Sequence, residues 1–306
     1  MVVYLNGEFV PEEQARVSVF DRGFLYGDSL FETLRVCHRR LFRWHQHVER
    51  LLRGCEHLGI RCPVSTQELR DAARRLIEAN QLDDALLRLT LSRGVGPRGY
   101  SPRGADQPTL VLATHAAPPL DPANPTQWRM ITSSSRLPPA DRLASHKTGS
   151  KLLQVMARRE AELAEADEAL LVNTQGEVAE GASANLFWTR GPVVYTSPTA
   201  VGVLPGVTRA VVLEICATLS LPVKKRLTKV ELLKGSDALF LTNSVHGIID
   251  VLSLDGHVFL GSPLVSRIRN AFCDVLRKEC GIHAETAKAE VAETDKLPAA
   301  QDSQTA

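Results

Sequence analysis

Aromatic residues and net charge are both scarce in this sequence. Phe, Trp and Tyr make up 5% of the 306 residues, and 36 Lys and Arg residues balance 35 Asp and Glu residues to a formal net charge of +1 at pH 7. Without an overall positive field, we expect neither nucleic acid nor an anionic membrane among its partners. The remaining composition, 44% hydrophobic and 23% charged, is typical of a soluble globular protein.

Cysteine is also infrequent, and its pattern excludes two classes of site. The six cysteines, at positions 37, 55, 62, 216, 273 and 280, form no CxxC pair and no Cys/His spacing typical of zinc. A disulfide framework is not expected in a chain of this length, so the pattern favours a reducing, cytoplasmic location and no metal site. The first ten residues lack the basic and apolar segments of a signal peptide, and no apolar run reaches the roughly 18 residues of a membrane span.

Several widespread catalytic motifs are missing from the sequence. It contains no Gly-x-Ser-x-Gly elbow, no Walker loop and no HExxH pair. The hydrolases and nucleotide-binding proteins that depend on those motifs are therefore disfavoured.

A proline-rich stretch divides a chain whose apolar patterns predict a mixed α/β fold. "APPLDPANP", residues 117–125, contains four prolines, a density that stops helices and inner strands. We predict a small N-terminal α/β domain over 1–116, a linker over 117–127 and a larger C-terminal α/β domain over 128–284. The last residues, 285–306, contain few large apolar side chains and are predicted to be disordered.

Local signals predict several individual elements. Asn6-Gly7 favours the tight turn of a β-hairpin, and the alternation in "ARVSVF" predicts a strand over 15–20. Apolar stripes at helical spacing predict helices over 45–59, 66–79, 149–165 and 263–280.

Two lysines stand four residues apart where the third of these helices is predicted to begin. Lys147 and Lys151 would share a helix face, although the positive end of a helix disfavours cations. A pair of solvated surface lysines is the ordinary interpretation, and a functional one needs support from elsewhere in the chain.

Other segments carry weak signals of their own. "GVLPGVTRAVV" enters a helix, where the N–H groups of Val207 and Thr208 could bind a phosphate, or it is an ordinary helix start. Glu180 precedes small residues and could hold a protonated ring nitrogen, or lie in a surface turn. Arg50 could clamp a phosphate or be solvated, and Arg98 could bind a carboxylate or belong to a plain charged loop.

Taken in order, these segments resemble the class IV, pyridoxal-phosphate-dependent aminotransferases of fold type IV. The family includes branched-chain and D-amino-acid aminotransferases and aminodeoxychorismate lyase. The resemblance covers roughly residues 2–282. It rests on "LNGEFV", "DRGFLYGDSLFETLRV", "HVERL", "SRG", "HKTGSKL", "DEALLVN", "GEVAEGASANLF", "GVLPGVTR" and "ALFLTNSVHGIIDV". It implies the two-domain fold of D-amino-acid aminotransferases, pyridoxal 5′-phosphate as cofactor, a small amino substrate and a homodimer with its site near the subunit interface.

The resemblance also implies roles for particular residues. Lys147 would bind the cofactor covalently and serve as the catalytic base, which leaves Lys151 as an ordinary helix-face lysine. Glu180 would pair with the pyridine nitrogen. The phosphate would be held by Arg50, Val207, Thr208 and Ser244, and the substrate would be bound by Tyr26, Thr33, Arg88 and Arg98.

The segments around the site are most similar to aminodeoxychorismate lyase. Branched-chain enzymes usually carry "GGNY" after the lysine and glycine after "FE", where this sequence has "TGSKL" and Thr33. "FETLRV", "SRGVGPRGYS" and "LTNSVHGI" imply conversion of 4-amino-4-deoxychorismate to 4-aminobenzoate and pyruvate, a step of folate biosynthesis. The alternative is an aminotransferase that transfers the amino group to a 2-oxo acid. Its donors would be D-amino acids or (R)-amines in the first place, and branched-chain L-amino acids after these.

Overall fold

The computed structural model describes residues 1–281, and the predicted disordered tail, 285–306, lies outside them. The chain forms two sheets with helices, which confirms the predicted mixed α/β class. Within the described residues no helix is both long enough and apolar enough to cross a bilayer.

The first sheet is antiparallel and is covered on one face by helices. Its strands lie in the order β2-β1-β6-β5-β3-β4. They are β1 (Val2–Leu5), β2 (Glu8–Pro11), β3 (Ser29–Cys37), β4 (Arg40–Leu41), β5 (Ala85–Val95) and β6 (Gln107–Ala116), and the helices are α1 (Arg22–Tyr26), α2 (Trp44–Leu58) and α3 (Thr66–Ala79).

The second sheet is larger and mixes parallel with antiparallel pairs. Its order is β12-β11-β10-β13-β14-β7-β8-β9, with β15 beside β14. The strands are β7 (Gln127–Leu137), β8 (Glu168–Asn173), β9 (Val178–Gly181), β10 (Asn185–Arg190), β11 (Val193–Thr196), β12 (Val223–Lys225), β13 (Ala238–Asn243), β14 (Gly247–Leu254) and β15 (His257–Val258). The helices are α4 (Leu152–Leu163), α5 (Val207–Thr218), α6 (Val230–Leu233) and α7 (Pro263–Cys280).

Strong local signals give the elements that were predicted from them. The hairpin turns at Asn6-Gly7, both with positive φ, and three predicted helices are confirmed as α2, α3 and α7. Helix α3 begins with a capping box in which Ser65 and Glu68 satisfy each other's backbone N–H groups. The helix predicted over 149–165 is shorter, because α4 begins only after Lys151.

The strand predicted over 15–20 is wrong. That segment pairs with no strand in the described chain, and the side chains of Val17, Val19 and Phe20 are 48%, 65% and 65% exposed. Alternating apolar residues form a strand only where a neighbouring strand satisfies their backbone groups, and none lies alongside.

The two sheets meet where the segment around Lys147 runs against β3. The N–H of Phe31 donates to the carbonyl oxygen of Lys147 at 2.9 Å, and the N–H of Gly149 donates to that of Ser29 at 2.7 Å. No helix or strand lies between Ala116 and Gln127, where the proline-rich stretch connects one sheet to the other. The fold therefore brings β3 of the first sheet beside loops of the second.

Buried Arg35 fixes the same junction through two backbone carbonyl groups. Its Nη1 donates to the oxygen of Val245 and its Nη2 to that of Pro118, each at 2.7 Å. Arg35 lies on β3, Pro118 on the connection between the sheets and Val245 on the loop between β13 and β14. One side chain thus joins three separate parts of the fold.

Replacing Arg35 with leucine should lower the free energy of unfolding by about 2–4 kcal/mol, because two carbonyl groups lose a charged donor. Urea denaturation measures the change. Arg39→Leu is the matched control, since Arg39 pairs with Asp83 through side chains that are 53% and 69% exposed; that variant should lose less than about 1 kcal/mol. Equal losses in the two variants would contradict the role given to Arg35.

Candidate functional site

A cavity of about 1080 Å³ lies between the two sheets. The first sheet and its helix α2 contribute Phe31, Thr33 and Arg50 to the wall. The second part of the chain contributes residues before and within α4, the end of β9, the start of α5 and the loop after β13. The cavity therefore collects most of the site residues that the sequence predicted.

Lys147 projects into this cavity from an irregular segment whose backbone is paired with β3. Its Nζ lies 4.5 Å from the centre of the Phe31 ring. Burial, followed by the nearby Arg50 guanidinium, lowers the pKa of Lys147 to about 8. Near neutral pH this amine is therefore neutral in a larger fraction of molecules than an ordinary lysine.

Glu180 lies on β9 and faces the same cavity. Its Oε2 accepts hydrogen bonds from Asn185 Nδ2 at 2.8 Å and from the N–H of Leu204 at 3.1 Å. Its Oε1 accepts none from the described residues. Burial raises the pKa of Glu180 to about 7, against the opposing effects of the Leu204 N–H and the cavity lysines. The carboxyl group therefore has an unused oxygen and lacks a close cationic partner.

Arg50 is held by Glu32, a residue that sequence reasoning missed. Arg50 Nε and Nη2 donate to the two oxygens of Glu32 at 2.8 and 2.6 Å, and His47 Nδ1 lies 2.7 Å from the same carboxylate. Burial alone would raise the pKa of Glu32, but the bonds and charge of Arg50 outweigh it and hold that pKa at about 2. The sequence signal that could have revealed Glu32 is its alternation with Leu30 and Leu34, which places a glutamate on the apolar face of β3.

The start of α5 lies close to Arg50, whose Nη1 donates to the oxygen of Pro205 at 3.0 Å. Helix α5 has Gly206 as its N-cap, with no side chain capping it. The N–H groups of Val207 and Thr208 therefore have no acceptor among the described residues, and both residues line the cavity. A Cβ on Gly206 would lie 2.0 Å from Asn185 Oδ1, so any other residue there would have to displace the Asn185 side chain.

The end of β13 and the loop after it add further polar groups to the wall. Ser244 lines the cavity beside Asn243. The Oγ1 of Thr242 is buried without a hydrogen-bond partner in the described structure. The cavity wall therefore contains several polar groups that are available to a ligand: this hydroxyl, the free α5 amides and Glu180 Oε1.

Three of the four predicted substrate residues lie outside the cavity wall. Thr33 lines it, whereas the Arg88 guanidinium is stacked against the Phe31 ring, with its carbon 3.6 Å from the ring centre. The Tyr26 hydroxyl accepts from the N–H of Gly99 at 3.3 Å. Arg98 is exposed in the same loop. Substrate binding by Tyr26, Arg88 and Arg98 stays a prediction.

The prediction that Lys151 is an ordinary helix-face lysine is wrong. Helix α4 begins after this residue, so Lys151 is its N-cap, and its side chain lines the cavity with Lys147. Burial lowers the pKa of Lys151 as well. The two lysines therefore converge on one space without sharing a helix.

Comparison with known proteins gives consistent matches along most of the chain. The family model "Amino-transferase class IV" matches residues 29–254. The Methanocaldococcus jannaschii protein named "Putative branched-chain-amino-acid aminotransferase" is 34% identical over 91% of this chain and 97% of its own. Aminodeoxychorismate lyase of Bacillus subtilis is 31% identical over 83% of this chain and 87% of its own.

A solved structure agrees at the level of the whole fold. A branched-chain amino acid aminotransferase from T.th., complexed with N-(5′-phosphopyridoxyl)-L-glutamate, superposes with a TM-score of 0.84 at 28% identity. The match covers 94% of this chain and 96% of that one.

Glu180→Gln should change how the stability of the cofactor-free protein depends on pH. A carboxyl group whose folded pKa is raised from 4.5 to about 7 stabilises the fold below pH 4.5, and this contribution is lost as pH rises through 7. The glutamine of the variant cannot titrate. The free energy of unfolding of the variant, relative to that of the parent, should therefore rise by on the order of 3 kcal/mol between pH 5 and pH 8. Urea denaturation at both pH values measures it.

Exposed Glu231 provides the matched control for that experiment. Glu231→Gln should follow the parent at both pH values. Parallel pH dependence in Glu180→Gln and the parent would contradict the raised pKa.

Proposed function

Because the chain belongs to the class IV aminotransferase family, we propose that it uses pyridoxal 5′-phosphate to transfer an amino group between an amino acid with an apolar side chain and a 2-oxo acid. The observation that carries this proposal is that a basic group, the Lys147 amine, and an acidic group, the Glu180 carboxyl, line the same cavity. Each has a pKa moved towards neutrality, as acid–base chemistry at pH 7 requires.

The groups left without partners fit the parts of this cofactor. The free amides of Val207 and Thr208 and the positive end of α5 suit a phosphate, with Arg50 beside them and Ser244 on the same wall. The unused oxygen of Glu180 suits a protonated pyridine nitrogen. Lys147 supplies the amine for covalent attachment. When bound, the cofactor supplies an electron sink for the carbon that bears the amino group.

Lys147 and Glu180 have separate tasks in this proposal. With a pKa of about 8, Lys147 is close to the working pH and can accept a proton from the substrate and return it at another position. Glu180 holds a positive charge in place, since its carboxylate is fixed by Asn185 and Leu204 and so points one oxygen into the cavity. Both side chains are half-buried in the wall of the cavity.

The apolar part of the wall supports an apolar substrate side chain. It is formed by Phe31, Trp128, Leu137, Leu153 and Val245. The relative from Methanocaldococcus jannaschii, which covers most of the chain, also favours amino transfer.

Conversion of 4-amino-4-deoxychorismate to 4-aminobenzoate is the second candidate. Thr33 lies in the cavity wall where the resemblance to the lyases places a substrate contact, and the Bacillus subtilis relative is a lyase. In this candidate Arg88 and Arg98, with Tyr26, would have to reach the substrate from outside the wall of one chain.

We further propose that the chain is a homodimer. Phe24 and Tyr100 lie near Tyr26 and Arg98 in the sequence, and their side chains are 75% and 88% exposed. Large exposed apolar side chains grouped in this way are typical of a protein interface. A second copy that covers them would also bring the loop of Arg98 close to a subunit boundary.

Replacing Lys147 with alanine should abolish the absorbance of the covalently bound cofactor. Amino transfer should fall at least about 100-fold, because the base is removed as well. Absorbance spectra and transfer from L-leucine or D-alanine to 2-oxoglutarate measure the two effects. Lys224→Ala, at an exposed position, is the control and should match the parent. An unchanged cofactor spectrum in Lys147→Ala would refute the assignment.

A substrate panel with Arg98→Leu separates the two candidate reactions. For amino transfer, activity with L-leucine or D-alanine should change less than about threefold in this variant, because Arg98 lies outside the wall. For the lyase, kcat/KM for 4-amino-4-deoxychorismate should fall by a factor that corresponds to roughly 2–4 kcal/mol of lost transition-state stabilisation, since the carboxylates of the substrate lose a cation. Release of pyruvate and transfer to a 2-oxo acid are scored for each amine, with (R)-1-phenylethylamine as a donor that has no carboxylate.

A further inference from the structure

Lys151 occupies an unusual place for a cation. It is the N-cap of α4, so this cationic residue stands at the positive end of a twelve-residue helix, where a cation is unfavourable. No side chain caps this helix. The N–H groups of Leu153 and Gln154, which also line the cavity, find no acceptor among the described residues. The ammonium and the helix end therefore both attract an anion to the same region.

The Lys151 ammonium has no partner within residues 1–281. It forms neither a hydrogen bond nor a salt bridge there. Its closest opposite charges, Glu180 and Asp141, act on it only at longer range. Glu180 uses one oxygen for Asn185 and Leu204 and does not bond to Lys151. Keeping a partly buried ammonium unpaired is costly, and an anion that enters the cavity would remove that cost.

The other cations near the cavity already have partners or face solvent. Arg50 is bonded to Glu32 and to the oxygen of Pro205. Arg158 lies 3.7 Å from the buried Glu168. Arg88 is stacked on Phe31 outside the wall.

Lys147 is assigned to the cofactor, and Arg159 is exposed at the mouth of the cavity. Among the cations of the described wall, this leaves Lys151 as the one that faces inward without a partner. It is therefore available to bind an anionic group other than the phosphate.

We propose that Lys151 binds the carboxylate of the amino substrate and makes the cavity selective for amino acids over simple amines. The proposal rests on the proposed function, since it takes an amino acid as the substrate. The ammonium donates to the carboxylate, and the adjacent amides at the start of α4 add to the attraction. An amine without a carboxylate gains nothing from this residue.

The test measures binding without turnover. Purified holoenzyme is titrated by calorimetry with 4-methylvaleric acid and with its neutral amide, which has the same apolar body. Lys151→Met should weaken binding of the acid by about 10- to 100-fold, the effect expected for a lost charge-assisted hydrogen bond. The affinity for the amide should stay within about twofold. Lys151→Arg should keep most of the preference for the acid.

Arg159→Met is the matched control, because it removes an exposed cation from the same helix. It should change neither affinity more than about twofold. A loss of preference for the acid that is as large in Arg159→Met as in Lys151→Met would overturn the proposal.

Two further outcomes overturn it. An equal loss of acid and amide affinity in Lys151→Met means that the residue only shapes the wall. An unchanged acid-to-amide ratio, together with a shifted cofactor absorbance band, means that Lys151 contacts the cofactor.

Failure of the proposed function would be visible separately. The parent protein would then retain no cofactor absorbance, while the acid-to-amide ratio could still be measured on the protein alone.

Discussion

The buried ion pair between Glu32 and Arg50 is the interaction on which the site depends. Glu32 lies on the apolar face of β3, where an unpaired carboxylate would be strongly destabilising. Two hydrogen bonds from Arg50 and the contact with His47 remove that cost and fix α2 against the sheet. The arginine is then left with one nitrogen, and this nitrogen reaches Pro205 just before α5. A pair within the first part of the chain therefore also positions the start of α5, which lines the cavity between the two sheets.

The cavity itself is assembled at the expense of stability. Burial lowers the pKa of Lys147 and raises that of Glu180, so each charged form is less favourable in the fold than in water. These groups are not neutralised by bonding to one another. A ligand that brings a cationic nitrogen to Glu180 stabilises the charged carboxylate, and its anionic group satisfies the free amides, so that binding this ligand also stabilises the fold. The unfavourable burial of these charged groups therefore lowers the stability of the protein without a ligand, and it also favours ligands that carry complementary charges.

Much of the fold could be predicted from sequence because its signals are local. A capping box, an Asn-Gly turn and apolar stripes at helical spacing specify α3, the first hairpin, α2 and α7 without reference to the rest of the chain. The strand predicted over 15–20 failed because a strand needs a neighbour, which the sequence of one segment does not show. Glu32 was missed for a similar reason, since its role is defined by a partner 18 residues away. Lys147, Glu180 and the α5 amides were predicted through resemblance, and their convergence in one cavity required the two sheets to be placed together.

The two lysines four residues apart illustrate how the same spacing can have different origins. In a continuous helix the spacing would place both on one face, but here Lys147 precedes α4 in a segment paired with β3 and Lys151 caps the helix. They converge because the chain turns between them at Gly149, where a Cβ would lie 2.1 Å from Ser29 Oγ. On the other side of this contact, Gly27 has a φ of +67° and would place a Cβ 3.1 Å from the backbone of Ser150. Glycine on both sides lets the lysine segment lie close to the first sheet. The glycines of "FLYGDS" and "HKTGSK", rather than the helical period, bring two amines into one cavity.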